Sequence, residues 1–292
     1  MLTNKPWISK DGIIDAPVVY FGGKSRAAAL IWERLGNVPN FVDPFMGSMA
    51  VLLGRPHPTE KRGLETCNDA DGFVVNAYRA IRHDPELTAH FADWPVSECD
   101  MTARHAWIVR RRENLVAELM GDPEFFDAKI AGWFLHGVAC WIGSGYASGQ
   151  GPWVVEGGLL VDSRKLPHLA GNKGVNPEDP SSEDGDESGQ LPAMGEQPGV
   201  GRQLPSLGSA TFCGVNRQLP RMGPGRGVER EASLIAWFLD LADRLRDVRI
   251  TCGDWSRILG PSVTTANGTT GLVLDPPYSG GRRPQVGDRA RR

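Results

Sequence analysis

A short apolar run that stops at two prolines constrains the fold of this chain more than any other feature of its sequence. Residues 271–274 are apolar or glycine, which predicts a buried strand of a parallel sheet. Pro276 and Pro277 end that strand sharply, because proline cannot donate a backbone hydrogen bond. Asp275, the Pro276 carbonyl and Tyr278 are therefore expected at the carboxyl edge of an open α/β sheet, where ligands of such folds bind.

The residues that follow this strand suit a planar base that carries an amine. Asp275 and the Pro276 carbonyl can accept the two N–H bonds of the amine, and Tyr278 can stack on the face of the ring. An ordinary turn from a strand into a loop would also explain the same four residues. The choice depends on what the rest of the chain brings to this edge.

Composition excludes several classes of protein. The 292 residues have room for one or two domains, and the net charge of -3 confines any nucleic-acid contact to local basic patches. Five cysteines without a CxxC pair indicate reduced cytosolic thiols and not a disulfide framework or a zinc site. Neither a membrane-spanning apolar run nor the apolar core of a signal peptide is expected from the sequence.

A glycine turn near the N-terminus precedes a predicted helix at 25–35. Tyr20, Gly22, Gly23 and Lys24 belong to this turn, and a turn that enters a helix can receive a polar or anionic group. The letters GKS at 23–25 look like part of a phosphate-binding loop, but the glycine required six residues before Lys24 is a valine. A simple turn into a helix remains the alternative.

A second glycine turn follows a short predicted strand that ends near Asp43. Phe45, Gly47 and Ser48 form the turn, and Ser48 is expected to cap the next helix. The pattern is not GxGxxG, so a dinucleotide pyrophosphate is not indicated. Backbone N–H groups of this turn would lie close to any ligand that occupies it.

A second strand is predicted at 62–67, and acidic residues follow it. Asp69 lies 22 positions after Gly47, which is the placement of an acid that binds ribose hydroxyls. Asp71 is expected to cap the helix 72–82. Either acid could instead be an ordinary helix cap.

Four motifs in order carry a resemblance to a known family. FGGK at 21–24, DPFMGS at 43–48, the strand that ends in acids with Tyr78 in the following helix, and DPPY at 275–278 together resemble the Dam-like adenine-specific DNA methyltransferases. The resemblance implies S-adenosylmethionine as cofactor, double-stranded DNA as partner, and a bacterial or phage-infected cytoplasm as location. It implies transfer of a methyl group to the exocyclic amine of a flipped adenine, without a metal, and we expect a monomer.

A third strand end is predicted at Gly253. The amphipathic helix 231–246 and the strand 248–252 lead to Asp254 and Trp255. An acid and an aromatic ring at this place could hold the adenine of the cofactor, and the resemblance implies the same role. A surface turn is the alternative.

The middle of the chain is predicted to be a helical insertion that recognises the target. Asp100 or Thr102 is expected to cap a helix that runs to Leu119, and a second, buried helix is expected at 125–142. The first helix carries arginines that either contact the DNA backbone or form a solvated face: Arg104, Arg110, Arg111 and Arg112. In the loop that follows the second helix, glycines and serines replace the asparagine-glycine-aromatic stretch of the family. DNA contact by Tyr146, Ser148 and Gln150 is a hypothesis.

A repeat at 164–228 comprises four Leu-Pro units, each followed by Gly-Val. It is either a disordered low-complexity insertion or a set of stacked turns that offer Arg and Gln to DNA.

The residues after Tyr278 are expected to be a disordered basic tail in place of the further sheet strands of the family. The catalytic strand is then expected near an exposed edge.

The predicted architecture is an α/β, Rossmann-like methyltransferase sheet with its last strands missing. Residues 1–83 and 231–280 are expected to form the catalytic domain, 84–165 the helical insertion, 166–230 the flexible insertion and 281–292 the tail. The alternatives are an inactive, truncated DNA-binding remnant and a methyltransferase that acts on the exocyclic amine of cytosine.

Overall fold

The computed structural model describes residues 5–9, 11–18, 23–56, 62–140, 146–147, 153–156, 159–162 and 228–276. Its strands are β1 (Asn40–Asp43), β2 (Leu64–Asp69), β3 (Trp153–Glu156), β4 (Leu159–Asp162), β5 (Arg249–Cys252) and β6 (Thr270–Leu272). Its helices are α1 (Ala28–Leu35), α2 (Ala50–Leu53), α3 (Gly72–His83), α4 (Pro85–Ala92), α5 (Glu98–Val109), α6 (Arg112–Gly121), α7 (Ala128–Cys140) and α8 (Val228–Leu245).

Four strands form one parallel sheet in the order β5-β2-β1-β6. Asn40 is paired with Leu64 of β2 on one side and with Thr270 of β6 on the other. The chain moves from β1 outward to β2 and β5, and then returns to the opposite side of β1 as β6. The order of the strands therefore reverses between β1 and β6, which makes this the switch point of an α/β sheet. The α/β class is confirmed, and the sheet is compatible with a Rossmann-like fold.

The central strand β2 is longer than predicted and is polar. It continues through Asn68 and Asp69, and all its residues after Leu64 are buried. Buried polar groups in a central strand must find partners, because an unpaired one costs about 1–3 kcal/mol. Glu65 finds them in two arginines, since its carboxylate binds Arg55 at 3.0 Å and Arg244 at 2.7 Å. This ion-pair network joins β2 to Arg55, two residues after α2, and to α8.

The helices cover the sheet and share one apolar core. Trp237, Phe238 and Leu241 of α8 are fully buried, and so are Phe73 and Tyr78 of α3. The predicted helical insertion packs into the same core, because α4 and α7 contact each other and both lie against α3 or α8. The N-terminal segment is fixed to α8 by hydrogen bonds to the carboxylate of Asp240. The division of the chain into domains stays a prediction.

Three predicted helix boundaries need correction. Ser48 does not cap a helix, since α2 begins at Ala50 after Met49, whose φ of 51° is left-handed. The predicted helix to Leu119 is two helices, α5 and α6, and the N-terminal cap of α5 is Ser97 instead of Asp100 or Thr102. The cap predicted for α3 is confirmed, because the Asp71 carboxylate accepts a hydrogen bond from the Phe73 N–H at 3.0 Å.

Strand β6 has an open side in the described part of the sheet, where its one neighbour is β1. Leu272 and Leu274 are exposed there, Leu274 by 60%. The predicted exposed edge is thus present among these residues.

The Leu-Pro repeat and the predicted tail lie outside the described residues, as does most of the glycine- and serine-rich loop after α7. No helix within the described ranges is both long and apolar enough to cross a membrane.

Candidate functional site

Four predicted site segments meet at the carboxyl edge of the sheet. Strand β1 ends at Asp43, β2 ends at Asp69, β5 leads into Asp254, and β6 leads into Asp275. All four strands are parallel, so their carboxyl ends lie on the same side. The charges of Asp69 and Asp275 both act on Asp43 and contribute to a raised pKa of that carboxyl. The acids of β1, β2 and β6 are therefore close neighbours.

The first glycine turn reaches the end of β6. The ammonium group of Lys24 forms an ion pair with the carboxylate of Asp275, and both side chains are about one-third exposed. Gly23 precedes Lys24 in the same turn. Two segments separated by most of the chain thus meet at the switch point between β1 and β6. Tyr20, Gly22, Pro277 and Tyr278 lie outside the described residues.

Asp43 occupies the buried centre of this edge. Burial is the main cause that raises its pKa to about 7, and the hydrogen bond from the Phe45 N–H at 3.2 Å opposes the rise. Lys24 also stabilises the charged form. A bound cation would shift Asp43 further toward its charged form, because an opposite charge nearby favours ionisation.

The raised pKa of Asp43 predicts a stability that depends on pH. The folded state holds a proton with a pKa of about 7, whereas an unperturbed Asp loses it near 3.8, so the folded state binds more protons between these values. We expect the free energy of unfolding to fall as pH rises from about 4 to about 7, by a few kcal/mol at most. Urea denaturation at pH 5 and pH 8 measures this fall.

Asp43→Asn should remove most of that fall, because the neutral amide has no proton to lose in this range. Asp243→Asn is the matched control, since Asp243 is exposed and paired with exposed Arg246. If the free energy of unfolding falls between pH 5 and pH 8 by the same amount in Asp43→Asn and in the unmodified protein, Asp43 does not cause the pH dependence.

Hydrogen bonds to β2 and from α3 stabilise the turn after β1. The Met46 N–H donates to the Asn68 carbonyl at 2.9 Å, and the Tyr78 hydroxyl donates to the Ser48 carbonyl at 2.6 Å. Gly47 has a φ of 43°, in the left-handed region that favours glycine. These contacts fix the path of the backbone on which a ligand would lie.

Asp69 is part of that support. Its two carboxylate oxygens accept hydrogen bonds from the Gly47 N–H and the Asp71 N–H, both at 2.9 Å. Burial raises its pKa, and these two hydrogen bonds oppose the rise. The structure therefore gives Asp69 a turn-holding role that the sequence did not predict. Each oxygen keeps a second lone pair for a ribose hydroxyl.

Asn68 is a site residue that the sequence analysis missed. Its buried amide donates to the Pro44 carbonyl at 3.2 Å and to the Gly253 carbonyl at 2.9 Å, and its oxygen accepts from the Thr251 hydroxyl at 2.9 Å. One side chain thus ties the turn after β1 to the turn after β5. The signal available in the sequence was a polar residue, Asn68, directly before the acid that ends a buried strand.

Asn68→Ala is expected to loosen both turns. Losing the amide leaves the Pro44 and Gly253 carbonyls without these partners, at a cost of about 1–3 kcal/mol each in the folded state. Thermal or urea denaturation measures the loss. Asn267→Ala is the matched control, because the amide of Asn267 makes a solvent-exposed hydrogen bond to Ser262. A loss equal to that of the control would show that Asn68 does not hold the turns.

Asp254 and Trp255 form the exposed corner of the edge. Asp254 caps a short 3-10 helix by accepting from the N–H and the hydroxyl of Ser256, and these hydrogen bonds lower its pKa. The Trp255 ring is 46% exposed, and its centroid lies 6.2 Å from that of Phe45. The two rings come from the turns after β5 and β1, so a planar group could stack on the open face of Trp255.

The predicted DNA contacts of the insertion stay predictions, but the structure shows what surrounds their side chains. The guanidinium groups of Arg104, Arg111 and Arg112 each lie over an aromatic ring, and the three side chains are partly exposed. Arg110 is exposed, as predicted for a charged face. The Tyr146 ring stacks on His105 at 4.7 Å between centroids, so it would have to leave this contact to reach DNA. Ser148 and Gln150 lie outside the described residues.

The edge combines buried acids that favour a cationic ligand, an exposed tryptophan that suits a flat ring, and a carboxylate beside a proline. Within the described ranges, no group of three or more His, Cys, Asp or Glu side chains is arranged to hold a metal ion.

No protein-family model matches this chain, and no curated protein matches it either.

Proposed function

We propose that this chain is a DNA methyltransferase that uses S-adenosylmethionine to methylate the exocyclic amine of adenine in double-stranded DNA. The ion pair between Lys24 and Asp275 is the observation that carries this proposal. It joins the glycine turn proposed to receive the cofactor to the acid proposed to bind the base. The junction lies at the switch point of the sheet, which is where α/β folds bind such ligands.

Electrostatics support a positively charged cofactor. S-adenosylmethionine carries a sulfonium and an ammonium group, and the acids Asp43 and Asp69 lie together beside the turn of Gly47. Ionised Asp43 would stabilise those charges, and the cation would in turn lower the raised pKa of Asp43. The exposed face of Trp255 is proposed to stack on the adenine of the cofactor, with Asp254 accepting from its amine.

The base is proposed to bind at the end of β6. An adenine must leave the duplex stack to enter such a pocket. Its amine is a weak nucleophile because the nitrogen lone pair is delocalised into the ring. Hydrogen bonds from the amine to Asp275 and to the Pro276 carbonyl would favour a tetrahedral nitrogen whose lone pair is available, which is catalysis by positioning and electrostatics.

When bound, the cofactor would supply a methyl group: the nitrogen lone pair would form the new carbon–nitrogen bond, and the bonding pair of the broken carbon–sulfur bond would stay on the thioether that leaves. The nitrogen would then release one N–H proton to solvent water. Asp275 accepts a hydrogen bond from that N–H, and the ammonium of Lys24 would have to release Asp275 when the base arrives. Tyr278 is proposed to stack on the base, as the sequence motif implies.

Nucleoside analysis tests the proposal. The purified chain is incubated with labelled S-adenosylmethionine and unmethylated genomic DNA, and the DNA is digested to nucleosides. Label in N6-methyl-2′-deoxyadenosine supports adenine as the target, and label in N4-methyl-2′-deoxycytidine would move the target to cytosine. DNA binding without either product or any cofactor binding would leave a non-catalytic DNA-binding protein as the second candidate.

A further inference from the structure

Cationic and aromatic side chains alternate along α5, α7 and the loop before α5. Arg104 lies between Trp94 and Trp133, with its guanidinium carbon 4.6 Å and 5.4 Å from the two ring centroids. Lys129 lies between Trp133 and Trp107 at 4.7 Å and 4.9 Å. Arg111 covers Trp107 at 3.5 Å. We refer to these six residues as the cation–π ladder: Trp94, Arg104, Trp133, Lys129, Trp107 and Arg111.

Within the described part of the chain, two of the three cations in the ladder have no carboxylate at ion-pair distance. Arg104 has the carboxylate of Asp100 at 3.9 Å. Among the residues that the structure describes, no carboxylate oxygen lies within 4.0 Å of Arg111 or Lys129. Both side chains are partly exposed, and both contact the half-buried Trp107 ring. Their positive charges are therefore held in place by a ring and remain available to an anion.

The Arg111 end of the ladder adjoins the candidate site. The next residue, Arg112, lies over the ring of Phe73 at 4.8 Å, and its guanidinium is 3.8 Å from the Asp71 carboxylate. Asp71 and Phe73 begin α3 immediately after Asp69, which ends β2 at the carboxyl edge. The Arg111 end of the ladder is thus adjacent in the chain to a residue that contacts the start of α3, which follows the carboxyl end of β2.

We propose that the Arg111–Trp107–Lys129 end of the cation–π ladder binds the phosphodiester backbone of the DNA that flanks the target base. This inference rests on the proposed DNA substrate and adds the surface that positions it. Phosphates complement two cations that have no carboxylate partner among the described residues, and the tryptophan rings restrict the cations before DNA arrives, so less side-chain entropy is lost on binding. The contact is with the backbone, so it adds affinity and not sequence preference.

The salt dependence of DNA binding tests this surface. The probe is a fluorescently labelled 30-base-pair duplex without cofactor, and its anisotropy is measured between 50 and 200 mM salt. In the double variant Arg111→Gln/Lys129→Gln, we expect the slope of log affinity against log salt to shrink by about 1.8, since each lost phosphate contact removes about 0.9. An unchanged slope would overturn the proposal and leave the ladder as a packing feature of α5 and α7.

Two controls separate charge from folding. Arg246→Gln removes an equally cationic but 73% exposed side chain that precedes β5 at the opposite edge of the sheet, so its slope should equal that of the unmodified protein. Arg111→Lys/Lys129→Arg keeps both charges and should keep the slope. If the double variant does not fold, Lys129→Gln alone should still reduce the slope by about 0.9.

The outcomes distinguish this inference from the proposed function. DNA binding with a ladder-dependent slope but without methyl transfer would support the surface and reject the enzyme. Methyl transfer with a ladder-independent slope would support the enzyme and reject the surface. Absence of duplex binding at all salt concentrations would reject the surface as a DNA contact, whatever the methylation assay gives.

Discussion

Asp275→Ala is expected to abolish methyl transfer while cofactor affinity changes little. The carboxylate would accept a hydrogen bond from the reacting amine, and removing one such group typically lowers kcat by about 10²–10³-fold or more. Cofactor affinity should change little, because Asp275 is only one of several acids at the carboxyl edge. Asp275 pairs with Lys24, whereas Asp43 occupies the buried centre of the edge. Single-turnover methylation and equilibrium dialysis measure the two effects separately.

Asp275→Asn sharpens this test, because the amide keeps the size of the side chain and loses its charge. One amide oxygen could still accept a hydrogen bond, so we expect a rate between those of the alanine variant and the unmodified protein. Asp243→Asn is the control with an exposed carboxylate. Transfer by Asp275→Ala at a rate close to that of the unmodified protein would contradict the proposed role.

Glu65→Ala is expected to cause a large loss of stability. Glu65 lies between Arg55 and Arg244, all three side chains are nearly inaccessible to solvent, and the carboxylate contacts both guanidinium groups within 3.0 Å. Its removal would leave two buried cations without their acid, which typically costs about 3–5 kcal/mol. Urea denaturation measures the change in free energy of unfolding.

The exposed pair of Arg246 and Asp243 provides the comparison for that loss. Its side chains are 73% and 74% exposed, so Asp243→Ala should cost less than about 1 kcal/mol. Replacing all three members of the buried network by Met and Leu should recover much of the loss, because the penalty comes from unpaired buried charge. A cost for Glu65→Ala as small as for the exposed pair would mean that the network is not closed to water.

The residues that follow the strands of the site were predictable because their signals are local. The predicted strand ends were less accurate, since β2 continues to Asp69 instead of ending at 67 and β6 ends at Leu272 instead of 274. The prediction of a buried strand was wrong at Leu272, which is exposed. A glycine turn, an acid or a proline after an apolar run indicates where a strand stops, and parallel strands place those ends together. The clustering of Asp43, Asp69 and Asp275 follows from that rule. The switch point between β1 and β6 also follows once the order of the strands is known.

Features that depend on distant partners were not predictable. The amide of Asn68 binds a carbonyl 24 positions before it and another 185 positions after it, and neither spacing is visible as a pattern. Ser48 looked like a helix cap, but a hydrogen bond from Tyr78 and the left-handed Met49 give the turn a different path. Arg104 was predicted to belong to a charged face, but in the structure it lies over two tryptophans, one from the loop before α5 and one from α7.

Equilibrium dialysis of the purified chain against labelled S-adenosylmethionine tests the central claim most directly. We expect one bound molecule per chain. Its affinity should rise as Asp43 ionises near pH 7, and it should fall when Trp255 is replaced by alanine. Absence of saturable binding at millimolar cofactor between pH 6 and pH 8, by a chain shown to be folded, would contradict it.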